Sequence, residues 1–191
     1  MPVPDPLDAQ LTTATERIRR AVLEVSASNP VVVIDGRSGA GKSSLAARLV
    51  RAWPLRTPVQ LLALDSVYPG WNGLTQGARI AREDVLVPHG RGRIGTWRRW
   101  DWERSAEAES HAVDPARGLI VEGCGALTPA SARLADVTVW VDGPLESRRR
   151  RAIARDGDGF RDHWDMWALQ EEDHMARHRP AELASLTVLT P

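Results

Sequence analysis

Residues 31–44 have the sequence Val-Val-Val-Ile-Asp-Gly-Arg-Ser-Gly-Ala-Gly-Lys-Ser-Ser. The apolar, β-branched run at residues 31–34 is typical of a strand buried on both faces of a parallel sheet. Residues 44–50, which follow the glycines, have the pattern of a helix. The sequence therefore predicts a strand, a glycine-rich loop and a helix in direct succession.

The spacing of the glycines and the lysine predicts a phosphate-binding loop, or P-loop. Gly36, Gly39 and Gly41 can adopt backbone angles that turn successive N–H groups inward, and the helix N-terminus adds partial positive charge. We expect Lys42 to reach the β and γ phosphates of a nucleotide and the Ser43 hydroxyl to bind Mg²⁺. The predicted cofactor-binding loop consists of Gly36, Arg37, Ser38, Gly39, Ala40, Gly41, Lys42, Ser43 and Ser44.

The composition restricts the class of protein. One of the 25 basic side chains is a lysine, Lys42, and the rest are arginines. Because 25 acidic side chains balance them, the net charge is zero, which speaks against nucleic acid or a membrane as partner. The single cysteine, Cys124, excludes an intramolecular disulfide. Residues 1–6 are proline-broken and acidic and do not resemble a signal peptide, so we expect one cytoplasmic domain over residues 1–191.

Further apolar patterns predict the other elements. Apolar residues at helical spacing indicate a helix over about residues 8–27, within an N-terminal segment 1–29 that packs on a sheet. Apolar runs predict four more strands, at residues 59–64, 118–121, 137–141 and 186–190. The predicted fold is α/β, with three layers and a five-stranded, mostly parallel sheet covered by helices on both faces.

Three of these strand candidates end on a carboxylate: Asp65, Glu122 and Asp142. In an open parallel sheet the ligand binds beyond the carboxyl ends of the strands, so these side chains are expected to face the phosphates. Asp65 can orient an acceptor hydroxyl and take its proton, or it can cap a turn. Glu122 is expected to hold Mg²⁺, directly or through water.

Aromatic and arginine side chains form two further candidate groups. Tyr68 and Trp71, together with later tryptophans, can line a planar substrate group or pack in the core. The later tryptophans are Trp97, Trp100 and Trp102.

Arg148, Arg151 and Arg155 lie on one face of a predicted helix. They are interpreted as an arginine-bearing lid over about residues 148–165, with a flexible acidic hinge at residues 156–159. In this interpretation Arg151 and Arg155 are catalytic, together with Lys42, because they supply charge to the transition state; the alternative is a solvated basic face. His174 and His178, beside Glu171 and Asp173, are instead expected on a solvated helix face.

In chain order, these features resemble the uridine kinase and phosphoribulokinase-like branch of the P-loop kinases over about residues 30–160. The features are the P-loop, Asp65-Ser66-Val67-Tyr68, Arg99-Trp100-Asp101-Trp102, Val121-Glu122-Gly123 and the arginines after Asp142. The resemblance implies a nucleoside-monophosphate-kinase-like fold, ATP and Mg²⁺ as cofactors, and Asp65 as the residue that activates a sugar hydroxyl. It also implies lid arginines at Arg148, Arg151 and Arg155.

For the acceptor, the resemblance places Trp100 near the base, flanked by Arg99 and Asp101, with Tyr68, Trp71 and Arg148 completing the substrate set. Two features of the family are missing: residues 71–74 lack its Asp-rich run, and Ser105 stands where it has a histidine. The resemblance therefore implies a kinase without specifying uridine.

Two functions remain open from the sequence. The first is an ATP-dependent kinase that phosphorylates a hydroxyl of a small molecule, which a nucleoside would satisfy. The alternative is a nucleotide-binding ATPase or switch module that acts through a protein partner. A GTPase with an Asn-Lys-x-Asp motif is excluded, because Lys42 is the only lysine in the chain.

Overall fold

The computed structural model describes residues 5–191, except for the side chain of Asp158. Its strands are β1 (Val31–Gly36), β2 (Val59–Ala63), β3 (Gly95–Asp101), β4 (Ala106–Val113), β5 (Gly118–Glu122), β6 (Val137–Asp142) and β7 (Leu186–Leu189). Five of them form one sheet in the order β2-β5-β1-β6-β7, and every pairing in it is parallel. The predicted five-stranded sheet is confirmed.

The helices cover both faces of this sheet. They are α1 (Pro6–Glu24), α2 (Lys42–Arg51), α3 (Leu74–Ile80), α4 (Val87–Gly90), α5 (Pro129–Ala132), α6 (Leu145–Asp156), α7 (Asp158–Arg161), α8 (Trp164–His178) and α9 (Pro180–Leu183). A 3₁₀ turn spans Leu64–Ser66, and a π-helical turn, Ala81–Leu86, follows α3 directly.

Strand β1 divides the protein into two cores. Val31 and Val33 pack with α3 and α8 on one face, whereas Val32 and Ile34 pack with α1 and α2 on the other. This alternation follows from the two-residue period of a strand, and burial of all four side chains explains why the run is entirely apolar. The three-layer α/β architecture predicted from the sequence is confirmed.

Helix α1 begins two residues earlier than predicted. The Asp5 carboxylate accepts a hydrogen bond from the Leu7 N–H at 3.0 Å, and Pro6 occupies the first helical position, so the N-terminus is capped there. Ile18 and Val22 are fully buried against the sheet, and each contributes on the order of 2 kcal/mol to the free energy of folding. Residues 1–4 of the predicted N-terminal segment lie outside the described residues.

The sequence did not predict the antiparallel hairpin formed by β3 and β4. Its strands are mostly exposed and carry cross-strand ion pairs, such as Arg99 with Glu109 at 2.6 Å, in place of apolar alternation. The pairing register shifts between Arg98 and Trp100. The hairpin matters for the site because its turn presents Trp102 to the carboxyl end of β2.

The segment of residues 148–165 is helical almost throughout. Helix α6 continues unbroken to Asp156, and only Gly157, with φ of +72°, separates it from α7. Phe160 and Trp164 are buried in the core beside α3 and α8. The predicted hinge is thus a single left-handed glycine between two helices, and its movement on ligand binding stays a prediction.

Among residues 5–191, no helix is both long enough and apolar enough to cross a membrane.

Candidate active site

The P-loop has the geometry that its glycines predicted. Gly36, Gly39 and Gly41 have φ values of +153°, +73° and +103°. At Gly39 a Cβ atom would lie 2.0 Å from the backbone oxygen of Arg148, so no larger residue fits there. Helix α2 begins at Lys42 without a side-chain cap, which leaves its first N–H groups available to an anion.

Lys42 lies in this cradle with 7% of its surface exposed. Its Nζ donates to the Arg37 backbone oxygen at 3.1 Å and to the Cys124 Sγ at 3.2 Å. Burial lowers the pKa of Lys42, but Cys124 and the buried carboxylates Glu122, Glu171 and Asp35 outweigh burial and raise it overall. Because burial raises the pKa of the Cys124 thiol to about 12, the thiol is neutral near pH 7 and the carboxylates supply the charge. Lys42 is therefore firmly protonated.

Asp35, near the end of β1, joins the P-loop to the loop that follows β5. Its two carboxylate oxygens accept N–H groups from Gly36 at 2.6 Å, Gly125 at 2.9 Å and Leu127 at 2.8 Å. The fourth partner is the His174 imidazole, whose Nε2 lies 2.8 Å from Oδ2. With a residue exposure of 1%, this carboxylate serves structure and is shielded from solvent.

Helix α8 contributes a carboxylate directly to the P-loop. Glu171 is 4% exposed, and its Oε1 accepts the Ser38 N–H at 2.7 Å and the Cys124 S–H at 3.3 Å. Its other oxygen lies 3.4 Å from Nε of Arg37. The expectation that this face of α8 is solvated is wrong for Glu171 and His174, which are buried.

A signal for this buried face is present in the sequence. Trp164, Trp167, Glu171 and His174 follow one another at spacings of three, four and three residues, which places them on one side of a helix. The two tryptophans mark that side as the one facing the core, and the polar pair continues it. The prediction of a solvated face rested on the spacing of His174 and His178, whereas the spacing of His174 from Glu171 and the two tryptophans indicates the buried side of the helix.

A cavity of about 90 Å³ lies over the P-loop, and we call it the phosphate cavity. It is lined by Ser38, Gly39, Gly41, Lys42, Ser43, Ser44, Asp65, Glu122, Cys124 and Arg155. Glu122 is 3% exposed; burial raises its pKa, while Lys42 and a hydrogen bond from Ser43 act in the opposite direction. The structure thus brings the two predicted metal ligands, Ser43 and Glu122, together, and both offer the oxygen atoms that Mg²⁺ prefers.

Asp65 follows β2 in the 3₁₀ turn and projects into this cavity. Its side chain is 60% exposed, and within residues 5–191 no backbone N–H donates to its carboxylate, so it does not cap the turn. Instead its backbone oxygen accepts the Trp102 indole N–H at 2.8 Å. One carboxylate oxygen lies 3.9 Å from Nη2 of Arg155. The carboxylate is thus free to interact with a ligand.

A second cavity, of about 410 Å³, adjoins the first, and we call it the aromatic cavity because five of its ten lining residues are aromatic. It is lined by Ser38, Asp65, Tyr68, Trp71, Trp102, Arg155, Asp156, Gly159, Phe160 and Trp167. Trp71 contacts Trp102 with 4.9 Å between ring centroids and stacks on His163 at 4.2 Å. The Tyr68 hydroxyl donates to the Cys124 backbone oxygen at 2.7 Å, so it supports the cavity wall. Of the predicted substrate residues, Tyr68 and Trp71 lie here.

The structure places the other hairpin residues outside this cavity. Arg99 forms two hydrogen bonds to Glu109, at 2.6 and 3.1 Å, on the exposed hairpin surface. Asp101 accepts the N–H groups of Glu103 and Arg104, and these bonds lower the pKa of Asp101. Trp100 does not line the cavity, whereas Trp102 does. The predicted substrate roles of Arg99, Trp100 and Asp101 have no support from this placement, whereas the candidate Trp102 lines the cavity.

The three predicted lid arginines have separate environments. Arg148 is 2% exposed and donates to the backbone oxygens of Gly143 at 2.8 Å and Ser38 at 3.2 Å. Its Nε also lies 3.3 Å from Asp142, so that carboxylate pairs with Arg148 and does not line the phosphate cavity. Arg148 is a buried brace of the P-loop, and its predicted role in substrate binding is corrected.

Arg151 also braces the P-loop. Its Nε donates to the Gly39 backbone oxygen at 2.8 Å, and its other nitrogens donate to Pro191 and Thr190. Of the three predicted lid arginines, Arg155 alone lines both cavities. It pairs with Asp156 through two hydrogen bonds of 2.7 and 2.6 Å, and this pairing raises the pKa of Arg155. The predicted catalytic role of Arg151 has no support from this placement, while that of Arg155 stays a prediction.

Comparison with known proteins places this architecture. No protein-family model and no curated protein matches the chain. Its solved structural neighbours are uridine kinase-like and related P-loop kinases. A possible uridine kinase from Bacillus stearothermophilus is 15% identical, with a TM-score of 0.68 over 94% of this chain and 99% of the other. A protein provisionally assigned as a fructose transport system kinase, from Silicibacter sp. TM1040, is 18% identical, with a TM-score of 0.58 over 93% and 98%. The chain therefore has the P-loop kinase fold.

Proposed function

We propose that the protein is an ATP-dependent kinase that transfers the γ-phosphoryl group to a hydroxyl of a small molecule. One observation carries this proposal: the phosphate cavity and the aromatic cavity share Ser38, Asp65 and Arg155. A carboxylate and a guanidinium at the junction of two cavities are the groups that phosphoryl transfer between two bound molecules requires.

On the nucleotide side, the P-loop amides and Lys42 bind the phosphates. The uncapped start of α2 favours an anion, and the carboxylates around Lys42 keep it protonated. The described residues contain no cluster of three or more His, Cys, Asp and Glu side chains suited to a metal. Mg²⁺ would therefore be held by Ser43 and Glu122 together with the phosphates, and it would neutralise charge on the transferring group.

On the acceptor side, Asp65 orients the hydroxyl and accepts its proton. Its carboxylate is free of backbone hydrogen bonds and lies at the cavity junction, which is the position a general base needs. Arg155 is placed to neutralise negative charge that develops on the phosphoryl oxygens. To do so it must exchange its hydrogen bonds with Asp156 for the phosphates, which corresponds to closure of the predicted lid.

The wall of the aromatic cavity favours an acceptor with a planar ring. Trp71 and Trp102 have ring centroids 4.9 Å apart at an angle of 53°, and Trp167 lies edge-on to Tyr68 behind them. Such surfaces bind flat apolar groups through stacking and edge contacts. A nucleoside has both a planar base and a sugar hydroxyl, so nucleosides are the first acceptors to test.

The test measures ADP release with ATP and Mg²⁺ across a panel of nucleosides and other ring-bearing alcohols. We expect at least one acceptor to raise the rate by about tenfold or more, with a phosphorylated product detected by mass spectrometry. Lys42→Ala is the control and should abolish this stimulated rate, because the side chain serves the phosphates.

The alternative function makes a different prediction in the same assay. A switch or ATPase module would hydrolyse ATP at a rate that no small alcohol changes, without any phosphorylated acceptor. That outcome, together with intact ATP binding, would overturn the kinase proposal.

A further inference from the structure

A third cavity, of about 520 Å³, lies between α3, the π-helical turn, α5 and α8, and it shares no lining residue with the two cavities of the proposed active site. Four guanidinium groups surround it, those of Arg79, Arg82, Arg133 and Arg177. Since the whole chain has no net charge, this concentration of arginines is local. We call this site the arginine cavity.

The carboxylates near the arginine cavity neutralise only part of its charge. Arg79 and Arg82 share one partner, Glu83, and Arg177 pairs with Asp173. Arg133 has no ion pair among the interactions of the described residues. Four positive groups thus face these two carboxylates and Asp35, which lies behind the lining residue His174, so an excess of about one positive charge remains before either histidine is counted.

Two imidazoles complete the wall. His174 and His178 lie with ring centroids 5.2 Å apart, and both line the arginine cavity. Burial lowers the pKa of His178, with further contributions from His174 and Arg177. A neutral His178 imidazole can still donate one N–H to an anion, so it adds hydrogen-bonding capacity without being charged, whereas His174 already directs its Nε2 at Asp35.

We propose that the arginine cavity binds a small, multiply charged anion of the phosphate class, such as a phosphorylated metabolite or a short polyphosphate. Planar guanidinium groups match phosphate oxygens in pairs, and the volume is that of a small-molecule site. The cavity is a half-open groove lined by α3, the π-helical turn, α5 and α8, and its size suits a compact anion better than an extended nucleic acid backbone. This inference does not depend on the kinase proposal.

The arginine cavity is connected to the P-loop through two side chains. His174 lines the cavity and its Nε2 lies 2.8 Å from Asp35, whose other carboxylate oxygen accepts the Gly36 N–H at 2.6 Å. An anion that moves or polarises His174 therefore acts on the carboxylate that holds the first residue of the P-loop. We infer that occupancy of the arginine cavity changes nucleotide affinity, and that nucleotide changes anion affinity by the same factor.

The test is calorimetric titration of tripolyphosphate into the full chain. Lys42→Ala serves as background, because this substitution weakens the competing P-loop site. We expect one binding event, at least about tenfold weaker when Arg79→Ala and Arg133→Ala are added, since two charged hydrogen-bonding partners are lost. The matched control adds Arg149→Ala and Arg150→Ala, two exposed arginines of α6 outside this cavity, and should change affinity less than about twofold.

A second measurement locates the anion. Phenylglyoxal modifies accessible arginines, and mass spectrometry should show that tripolyphosphate protects Arg79 and Arg133 but not Arg149. An equal loss of affinity in both variants, or equal labelling with and without tripolyphosphate, would overturn the proposal. So would a DNA duplex that binds more tightly than tripolyphosphate through the same arginines, because the partner would then be a nucleic acid.

The coupling to the P-loop is read from ATP affinity. Wild type and the Arg79→Ala/Arg133→Ala variant are compared at fixed tripolyphosphate concentration, after correction for its direct competition at the P-loop. A residual effect in the wild type that the variant lacks supports the link through His174. Identical ATP affinity in both proteins would remove the link.

Discussion

The phosphate cavity and the aromatic cavity are built in different ways, although they adjoin. Six of the ten residues that line the phosphate cavity lie within the continuous stretch 36–44, which Asp35 and Glu171 hold from behind. The aromatic cavity is assembled from the turn after β2, the hairpin turn, the α6–α7 junction and α8. A nucleotide site can thus be encoded locally, whereas an acceptor site depends on how distant segments meet.

The two regions also differ in what fixes their side chains. Lys42, Glu122 and Cys124 are buried and hydrogen-bonded or surrounded by charge. Asp65 and Trp102 are substantially exposed, and the hydrogen bond between them is the main polar link from the hairpin to the site. Substitutions in the first region should affect stability and nucleotide together, and substitutions in the second should affect the acceptor alone.

The largest expected effect tests the carboxylate at the boundary between the two. Asp65→Asn should lower kcat by about 10²-fold or more at unchanged ATP affinity, because the amide cannot take the acceptor proton. Steady-state kinetics with an accepted hydroxyl compound measure it. Asp101→Asn is the control: it alters a nearby part-buried carboxylate that caps the hairpin turn and pairs with Arg99, and its kcat should stay within about twofold. If Asp101→Asn were the slower enzyme, the assignment of the base would be reversed.

The next effect tests how the P-loop is supported. Glu171→Ala should lower the free energy of unfolding by about 2 kcal/mol, since it leaves the buried Ser38 N–H without a partner. Chemical denaturation measures this change. Glu172→Ala removes the neighbouring exposed carboxylate, which lies 3.6 Å from Arg37, and should cost less than about 0.5 kcal/mol. Equal values for the two variants would mean that Glu171 does not brace the loop.

The third effect tests the aromatic wall. Trp102→Ala should raise KM for the acceptor by about tenfold while ATP affinity is retained, because one stacking surface is lost. Trp97→Ala is the matched control, since Trp97 stacks on His111 in the same hairpin outside the cavity. A rise in KM of the same size in both variants would indicate damage to the hairpin fold and not loss of a ligand contact.

The smallest effect concerns the segment of residues 148–165. Hydrogen exchange in its C-terminal half should slow by about threefold or more when ATP, Mg²⁺ and an acceptor bind, as Arg155 turns from Asp156 to the phosphates. The first turns of α6, which carry Arg148 and Arg151, serve as internal reference and should change little. Equal protection with and without ligands would show a fixed element without lid movement.

The sequence was sufficient where a short segment carries both its structure and its chemistry. Residues 31–44 predicted the strand, the loop and the helix, because a Gly-x-x-x-x-Gly-Lys-Ser run permits few other conformations. The other four strands followed from apolar runs; for β5 and β6 the reason is burial on both faces, which needs no polar alternation. The hairpin lacked any such pattern, because ion pairs and solvent line its faces.

The roles of charged residues were harder to predict, because they depend on partners that the sequence does not reveal. Arg148 and Arg151 have the same spacing as Arg155 along α6, yet they bind backbone oxygens of the P-loop. Glu171 and His174 resembled a solvated face until α8 was seen to pack on β1. Among the candidates Trp97, Trp100 and Trp102, the sequence could not tell which indole lines the cavity, since the register shift and the turn of the hairpin determine that it is Trp102.

Because α6 is anchored to the P-loop, the movement available to the proposed lid is limited. Hydrogen bonds from Arg148 to the Ser38 backbone oxygen and from Arg151 to the Gly39 backbone oxygen hold the first half of the helix in place. Arg155 lies four residues beyond Arg151, which is about 6 Å at the rise of an α-helix. A segment this short cannot carry a whole domain over the nucleotide. We therefore expect closure in this protein to consist of the Arg155 guanidinium exchanging Asp156 for the phosphates.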